Sequence, residues 1–267
     1  MKELSESIEK IIKQAGGTWG ISIEDLNTND SWNWNENEPF YAASIIKVPI
    51  MVAVFHAFEN ESLSLDKKLI LKKEDIVGGC GVLQHLTPGM ELSIYDLTTL
   101  MIIQSDNTAT NMLIEQLGKP TIQNTMRKTG LSTSTFYHKL MTVPVNREGI
   151  NTVTAFELTS LLKKISEGKV ISVHACEQMI AILKQQQIRN GLPGKLPPQD
   201  TRFIGENNPW EFAHKTGSVT HIRHEIGIFY VGKRMMIASV LSKDLEDDHS
   251  LQVFSDIGLE IYHFLNN

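Results

Sequence analysis

The feature that most constrains the fold is the placement of strand-like segments near both chain ends, with a long helical block between them. Residues 18–25 alternate apolar and polar side chains, and residues 31–35 are their predicted hairpin partner. Three further strands are predicted near the C-terminus, at 211–217, 225–232 and 235–242. Strands from both ends can share one antiparallel sheet if the intervening block forms a separate helical part.

Helical segments fill this block and flank the sheet. Apolar residues at helical spacing predict a first helix around residues 4–12 and a closing helix over 251–265. Four more helical segments are predicted inside the block, at 45–59, 93–117 (two helices broken near Gln104 and Ser105), 154–166 and 174–187. The fold class is therefore α/β in the broad sense and α+β in the strict sense, because helices and antiparallel strands segregate along the chain.

This element order predicts one domain over residues 1–267. Its sheet subdomain is expected to comprise about 1–43 and 201–267, and its helical subdomain about 44–200. A functional site on such a fold is expected in the cleft between the two parts.

Composition and charge favour a small-molecule partner. The net charge of −6 is spread over interspersed charges, which argues against a nucleic-acid or membrane partner, and we expect a monomer. No apolar run approaches the roughly 18 residues that span a bilayer.

The N-terminus lacks the basic and apolar regions of a signal peptide, so we expect a cytoplasmic protein, or a secreted one whose signal was removed. Cys80 and Cys176 match no metal or disulfide pattern, so we expect no metal and no cofactor.

A Ser-x-x-Lys motif at Ser44 and Lys47 is the first candidate for catalysis. The pattern alone is weak, because it also starts at Ser7, Ser64, Ser160 and Ser166. Only the Ser44 copy follows a predicted hairpin and opens an apolar helix, where the spacing places both side chains on one face. The start of a helix favours a nearby oxyanion, and a desolvated lysine can take the proton of a serine hydroxyl.

Two further tripeptides support the first motif. Ser105-Asp106-Asn107 lies at the predicted break between two helices, and Lys215-Thr216-Gly217 lies in a predicted strand. Each has a plain structural interpretation, as a helix start and as a strand that ends in glycine. Their occurrence together, in this order and in these contexts, favours a catalytic set.

The three motifs together resemble the signature of the class A β-lactamases and penicillin-binding proteins. The resemblance extends to residues 83–89 and 92–118, which are similar to the central helices of that family, and to residues 214–218, which are similar to its inner strand. It covers most of residues 18–265. It implies the β-lactamase/transpeptidase-like fold and a serine hydrolase.

The resemblance also implies a role for each motif residue. Ser44 would be the acylated nucleophile, Lys47 its general base or proton relay, and Ser105 the shuttle of the proton to the leaving nitrogen. Asn107 would bind the substrate amide and hold Lys47.

The third motif would hold the substrate. Lys215 and Thr216 would bind its carboxylate, Gly217 would let it approach the strand backbone, and the N–H groups of Ser44 and Ser218 would form the oxyanion hole.

The deacylation step departs from the family pattern. Class A β-lactamases carry a loop glutamate that activates the hydrolytic water. Counting forward from Gly130 places the equivalent position near Leu140, and counting backward from residues 151–154 places it near His138. Residues 131–147 contain no Asp or Glu. The candidate substitute bases are His138, whose unperturbed pKa suits the task, and Glu148.

Several functions fit a complete acylation set without the usual deacylation base. The first is a β-lactamase that hydrolyses β-lactams or related amides and esters. The alternatives are a D-alanyl-D-alanine carboxypeptidase or esterase with slow deacylation, and a sensor module that stays acylated. The absence of a membrane-spanning or signalling segment favours an enzyme with a small, carboxylate-bearing substrate.

Overall fold

The computed structural model describes residues 1–141, 149–199 and 208–267, and within them one five-stranded antiparallel sheet organises the molecule. Its strands are β1 (Thr18–Asp25), β2 (Ser31–Trp34), β7 (Trp210–Val219), β8 (Ile222–Val231) and β9 (Arg234–Lys243). Their order is β2-β1-β9-β8-β7, so a strand from the N-terminal part lies beside the last strand of the chain. This confirms the predicted sheet built from both chain ends.

Terminal helices cover one face of the sheet. They are α1 (Lys2–Ala15) and α8 (Asp247–Asn266). Leu4, Ile8 and Ile12 recur at helical spacing and are buried on α1, where they join a core with Trp19 and Phe254. Burial of this apolar stripe holds the helix on the sheet.

The other face of the sheet packs against the helical part of the chain. That part contains α2 (Lys47–Glu59), α3 (Ile94–Ile103), α4 (Asn107–Leu117), α5 (Lys119–Thr129), α6 (Ala155–Ser166) and α7 (Val173–Lys184). Nearly all of α2 is buried, so it forms the central helix of a second core that includes Ala213 and Ile226 of the sheet. None of the helices in the described ranges is long and apolar enough to cross a membrane.

Short elements complete the fold. Two small antiparallel pairs join β3 (Phe40–Tyr41) to β6 (Thr152–Val153) and β4 (Lys68–Ile70) to β5 (Glu91–Ser93). The division into subdomains stays a prediction, and its boundary between residues 200 and 201 lies outside the described residues.

Two details differ from the sequence prediction. Helix α5 was not predicted, although Pro120 near its start and Gly130 in the left-handed conformation after its end are helix boundary signals. Only Ile122, Thr125 and Met126 are buried on it, so its apolar stripe is weak. The predicted helix at 45–59 instead begins as a 3-10 turn over Ala43–Ile46, and α2 proper starts at Lys47.

Candidate active site

The three sequence motifs lie together at one site. Ser44 lies in the 3-10 turn before α2, Ser105 lies between α3 and α4, and Lys215 lies in the edge strand β7. The Nζ atoms of Lys47 and Lys215 are 3.0 and 3.1 Å from the Ser105 hydroxyl oxygen. The fold therefore brings together residues that are 58 and 110 positions apart in the chain.

Gly217 allows β7 to run directly beside the nucleophile turn. A Cβ atom at this position would lie 3.2 Å from Ser44 N, 3.1 Å from Ile45 N and 3.0 Å from Ile45 Cγ1. A larger residue would push the strand away from the turn. The motif glycine thus has a use that we did not predict, since the close approach that the structure displays is between two segments of the protein itself.

Lys47 is buried and surrounded by uncharged acceptors. Its Nζ lies within hydrogen-bonding distance of Ser105 O at 2.6 Å, Ser105 Oγ at 3.0 Å and Asn107 Oδ1 at 2.8 Å. Burial, and next the positive charge of Lys215, lower the pKa of Lys47 well below its ordinary value of 10.5. A lowered pKa increases the fraction of the amine that is neutral at a given pH, and the neutral amine can accept a proton.

Lys215 is also buried and has neutral partners. Its Nζ donates to Thr216 O at 2.7 Å and to Ser105 Oγ at 3.1 Å. Burial lowers its pKa from 10.5 to about 7, against the opposing effects of Cys80 and Glu225. Lys47 and Lys215 therefore compete for protons around one serine hydroxyl.

The Ser105 turn is held by its neighbour Asp106. Ser105 has a φ of 53°, in the left-handed region that a non-glycine residue rarely adopts. The buried Asp106 carboxylate accepts the Ala109 N–H at 2.9 Å, which caps α4, and the Leu83 N–H at 2.8 Å. These bonds offset the strain of the turn and point the Ser105 hydroxyl at the two lysines.

Asn107 has a defined orientation. Its Oδ1 accepts from Lys47, and its Nδ2 donates to Gly78 O at 3.1 Å. Its backbone N–H donates to Cys80 O at 3.0 Å, so the loop that carries Gly78 and Cys80 lies along this side of the site. The predicted contact with Lys47 is present, while binding of a substrate amide stays a prediction.

The hydroxyl group of Ser44, the predicted nucleophile, has no hydrogen-bond partner among the described residues. Ser44 is partly exposed, as expected for a group that meets a substrate. Thr216 is partly exposed and Ser218 fully so, both beyond Lys215 on the same edge strand. Their predicted roles in binding the carboxylate and in forming the oxyanion hole stay predictions.

A second segment, residues 132–141, is pinned at three places. Both carboxylate oxygens of Glu157 on α6 accept hydrogen bonds from residues 132–134. Asn151 accepts the Tyr137 N–H at 2.7 Å and donates to His138 O at 3.0 Å. The third attachment is at Leu140. We call this stretch the 132–141 segment.

The attachment at Leu140 places that residue close to the catalytic set. Asn111 Nδ2 donates to Leu140 O, and Leu140 N donates to Asn111 Oδ1, each at 2.8 Å. Asn107 and Asn111 are four residues apart on α4 and share a face of the helix. Leu140 is therefore held one helical turn from the amide that contacts Lys47, which favours the forward count that placed the family glutamate position at Leu140.

The structure does not assign either predicted substitute base to the deacylation step. His138 Nδ1 is 2.8 Å from Lys139 O, which leaves Nε2 as the basic nitrogen. That Nε2 atom is buried and has no hydrogen-bond partner among the described residues. The role of His138 therefore stays a prediction. Glu148 lies outside the described residues.

Several important residues were missed at the sequence level. Asp106 was noted as part of a motif but given no role, and Asn111, Asn151 and Glu157 were not considered. A signal for Asn111 was available, because it follows Asn107 by one helical turn. The partners of Asn151 and Glu157 depend on tertiary contacts.

Comparisons with known proteins agree with this arrangement. The family described as the Beta-lactamase enzyme family matches residues 3–265. A β-lactamase of Rhodobacter capsulatus is 26% identical over 265 residues, which cover 97% of this chain and 87% of that protein. The crystal structure of a β-lactamase from Sphaerobacter thermophilus DSM 20745 is 27% identical and has a TM-score of 0.89, with 99% of this chain and 97% of that chain covered.

A third similar protein is PBP-A, solved as a leucine-to-glutamate mutant in an acyl-enzyme complex with penicillin G. It is 25% identical, with a TM-score of 0.82 and coverage of 99% of this chain and 96% of that chain. The family match spans nearly all of the sequence and includes every motif described above. This chain therefore belongs to the β-lactamase enzyme family and is a serine hydrolase of the β-lactamase type.

Proposed function

We propose that the protein is acylated at Ser44 by β-lactams or related amides and esters, and that it releases the acyl group slowly. The observation that carries the acylation part is the Ser105 hydroxyl, which lies between the Nζ atoms of Lys47 and Lys215 at 3.0 and 3.1 Å. This arrangement connects a base beside the nucleophile to a proton donor for the leaving group.

Acylation then follows from the geometry. Neutral Lys47 takes the proton of the Ser44 hydroxyl as the Ser44 oxygen attacks the carbonyl carbon of the substrate. The proton passes from Lys47 to Ser105 and on to the departing nitrogen as the C–N bond breaks. The products are an acyl ester on Ser44 and an amine, and Lys47 is again neutral.

The substrate is proposed to be a small molecule with a carboxylate. Lys215 lies in the strand that borders the nucleophile turn, and Thr216 and Ser218 follow it on the same edge. A charged ammonium and two hydroxyl groups on one edge suit an anionic group, because charge-assisted hydrogen bonds are the strongest ones available.

Slow release of the acyl group follows from Leu140. Hydrolysis of the ester requires a base that orients and deprotonates water. Asn111 holds the backbone of Leu140, and the side chain of this residue is apolar and cannot act as that base.

A carboxypeptidase or esterase with the same acylation step is the second candidate. The observation that favours it is the same leucine, because the acylation groups are complete while the position of the usual base for hydrolysis of a penicillin-derived ester is apolar. PBP-A, crystallised as a leucine-to-glutamate mutant with penicillin G attached, supplies a similar protein for comparison.

Time-resolved intact-mass spectrometry with a penicillin tests the proposal. We expect the mass to increase by one penicillin within the first time points and to decline slowly, and a chromogenic cephalosporin to give a burst of about one equivalent. Ser44→Ala should show neither signal. An adduct on Ser44→Ala would refute the nucleophile, and linear turnover without a burst would refute slow deacylation.

A further inference from the structure

The chain directly after α7 contains a buried glutamine whose side-chain amide is fully hydrogen-bonded. Gln186 is only 3% exposed. Its Oε1 accepts the backbone N–H groups of Gln187 and Ile188, each at 3.0 Å. Its Nε2 donates to Ile102 O at 2.9 Å and to His214 O at 3.4 Å. Both lone pairs and both N–H groups of the amide are therefore in use, and only this orientation of the amide matches donors to acceptors.

The two carbonyl groups that Gln186 contacts belong to the two segments that carry the acylation groups. Ile102 lies in the last turn of α3, shortly before Ser105. His214 immediately precedes Lys215 in β7. Among the described residues, no other side chain is hydrogen-bonded to the backbone of both α3 and β7. Gln186 therefore joins the main chains of the segments that bring Ser105 and Lys215 together.

The residue after Gln186 strengthens the attachment to α3. Gln187 N donates to Ile103 O at 3.1 Å, and the Gln187 side chain is hydrogen-bonded to the side chain of Gln104. Residues 102–104 are thus all held by the chain after α7. Ser105 follows directly, so a shift at the end of α3 would move its hydroxyl relative to Lys215.

The bond to His214 lies on the free edge of β7. Along an antiparallel strand, the backbone groups of alternate residues point towards the partner strand and away from it. β7 is an edge strand, and the carbonyl groups of His214 and Thr216 both accept hydrogen bonds from side chains. The same alternation places the backbone groups of Ser218 on this edge. Gln186 thus holds β7 by the same edge that offers the predicted oxyanion donor.

We propose that Gln186 is a positioning residue, which sets the 3.1 Å contact between Ser105 Oγ and Lys215 Nζ by fixing the end of α3 to the edge of β7. It does not touch the reacting atoms and acts through these two side chains. This inference rests on the proposed function, in which Ser105 passes a proton to the departing nitrogen and Lys215 binds the substrate carboxylate. Ser44 and Lys47 lie at the start of α2, to which Gln186 donates no hydrogen bond.

The test compares two substrates that use the site differently. A penicillin carries a carboxylate, and its ring nitrogen must gain a proton as the C–N bond breaks. A nitrophenyl ester of an uncharged acid has no carboxylate, and its nitrophenolate departs with the electron pair of the C–O bond and without a proton. Both compounds need Ser44 and Lys47 for the attack. The ratio of the two acylation rates therefore reports on Ser105 and Lys215.

The main variant is Gln186→Met, which keeps the length of the side chain and removes all of its hydrogen bonds. It should slow acylation by the penicillin about 10–100-fold and acylation by the ester less than about threefold, because misplacement costs rate in the steps that use the misplaced groups. Intact mass measures the first rate and nitrophenolate release the second, with the background of Ser44→Ala subtracted. Gln185→Met makes the same change at the exposed neighbouring residue and should leave both rates unchanged.

A second variant provides for the case in which Gln186→Met does not fold. Gln186→Glu keeps an oxygen that accepts the N–H groups of Gln187 and Ile188. A carboxyl group has at most one proton to donate, so it cannot hold the carbonyl groups of both Ile102 and His214. Gln186→Glu should therefore show the same selective loss with the penicillin, and urea unfolding establishes that it is folded.

The outcomes separate failure of this inference from failure of the proposed function. If the unaltered protein forms no adduct with the penicillin, the proposed function fails. If it forms the adduct and a folded Gln186 variant slows both compounds equally, Gln186 has only a structural role and the inference is wrong. Unchanged rates for both compounds in the folded variants would also overturn it.

Discussion

Two regions of the site use their polar groups for different purposes. The acylation wall, which consists of Ser44, Lys47, Ser105 and Lys215, places two buried amines around one hydroxyl, with a lowered pKa for each amine. The 132–141 segment is equally well hydrogen-bonded, but its bonds hold the backbone and present Leu140. The first region is organised for proton transfer, and the second is organised as a scaffold.

The comparison shows that hydrogen bonding alone does not identify a catalytic wall. In the acylation wall Lys47 and Lys215 each contact the Ser105 hydroxyl, so a proton can pass between these side chains. The side chains of Asn111, Asn151 and Glu157 hold the 132–141 segment, mostly through hydrogen bonds with its backbone groups. A region can therefore be held by many hydrogen bonds and still contain no side chain that could deprotonate a water molecule.

The largest expected effect is on the acylation wall. Lys47→Ala should slow acylation of Ser44 by about 10²–10⁴-fold, because it removes the base beside the nucleophile. The measurement is the rate of adduct formation by intact mass, with Lys10→Ala on the exposed face of α1 as the control. A loss smaller than about tenfold would mean that another group takes the proton.

The second prediction is that a base at position 140 gives the 132–141 segment a catalytic function. Leu140→Glu should accelerate loss of the acyl group by about 10²-fold, because the backbone of this residue is already held by Asn111, one helical turn from the Asn107 side chain that contacts Lys47. Leu140→Gln has nearly the same shape and cannot act as a base, so it should leave deacylation slow. Equal rates for the two variants would argue that Leu140 does not face the ester.

A third prediction concerns the substrate end of the acylation wall. A penicillin methyl ester should acylate about 10–150 times more slowly than the free acid near pH 6, because loss of a charge-assisted bond to Lys215 costs about 1.5–3 kcal/mol. Lys184→Ala, at an exposed ion pair, is the control variant and should keep this preference. Equal reactivity of acid and ester in the unaltered protein would contradict the carboxylate assignment.

The smallest expected effect is on the stability of the folded protein and comes from His224, which packs behind the acylation wall. His224 is buried, its Nε2 is 2.9 Å from Tyr41 O just before the nucleophile turn, and its Nδ1 accepts the Ser242 N–H at 3.2 Å. Burial lowers the pKa of His224 from 6.5 to about 4. The unfolded chain therefore binds more protons than the folded one between these values, so this contribution to stability is present above pH 6.5 and is lost as pH falls towards 4.

Urea unfolding at pH 7 and pH 5 measures this contribution. The free energy of unfolding should fall by on the order of 2 kcal/mol through His224 between these pH values. His224→Gln should show a smaller fall, and the exposed His174→Gln should behave like the unaltered protein. A pH dependence in His224→Gln that equals that of the unaltered protein would exclude His224 as the source.

The sequence by itself determined most of the secondary structure and the residue types available for catalysis. Hydrophobic periodicity is a local property, so it identified the sheet strands and most helices to within a few residues, and it failed at α5, where only three residues are buried. The motifs at Ser44, Ser105 and Lys215 could be recognised because each lies within three or four consecutive residues. The absence of Asp and Glu from residues 131–147 was also visible, and counts from the two flanking segments placed the family glutamate position near Leu140 or His138.

Only the tertiary structure decided which groups meet. The Ser105 hydroxyl lies between two lysines because a helix break, a buried helix and an edge strand converge, and no local pattern encodes that distance. The Gln186 contacts depend on how the chain after α7 passes α3 and β7, and the Leu140 clamp depends on where the 132–141 segment crosses α4. Proton transfer and pKa depend on ångström distances and on burial, which arise from packing between segments far apart in the chain.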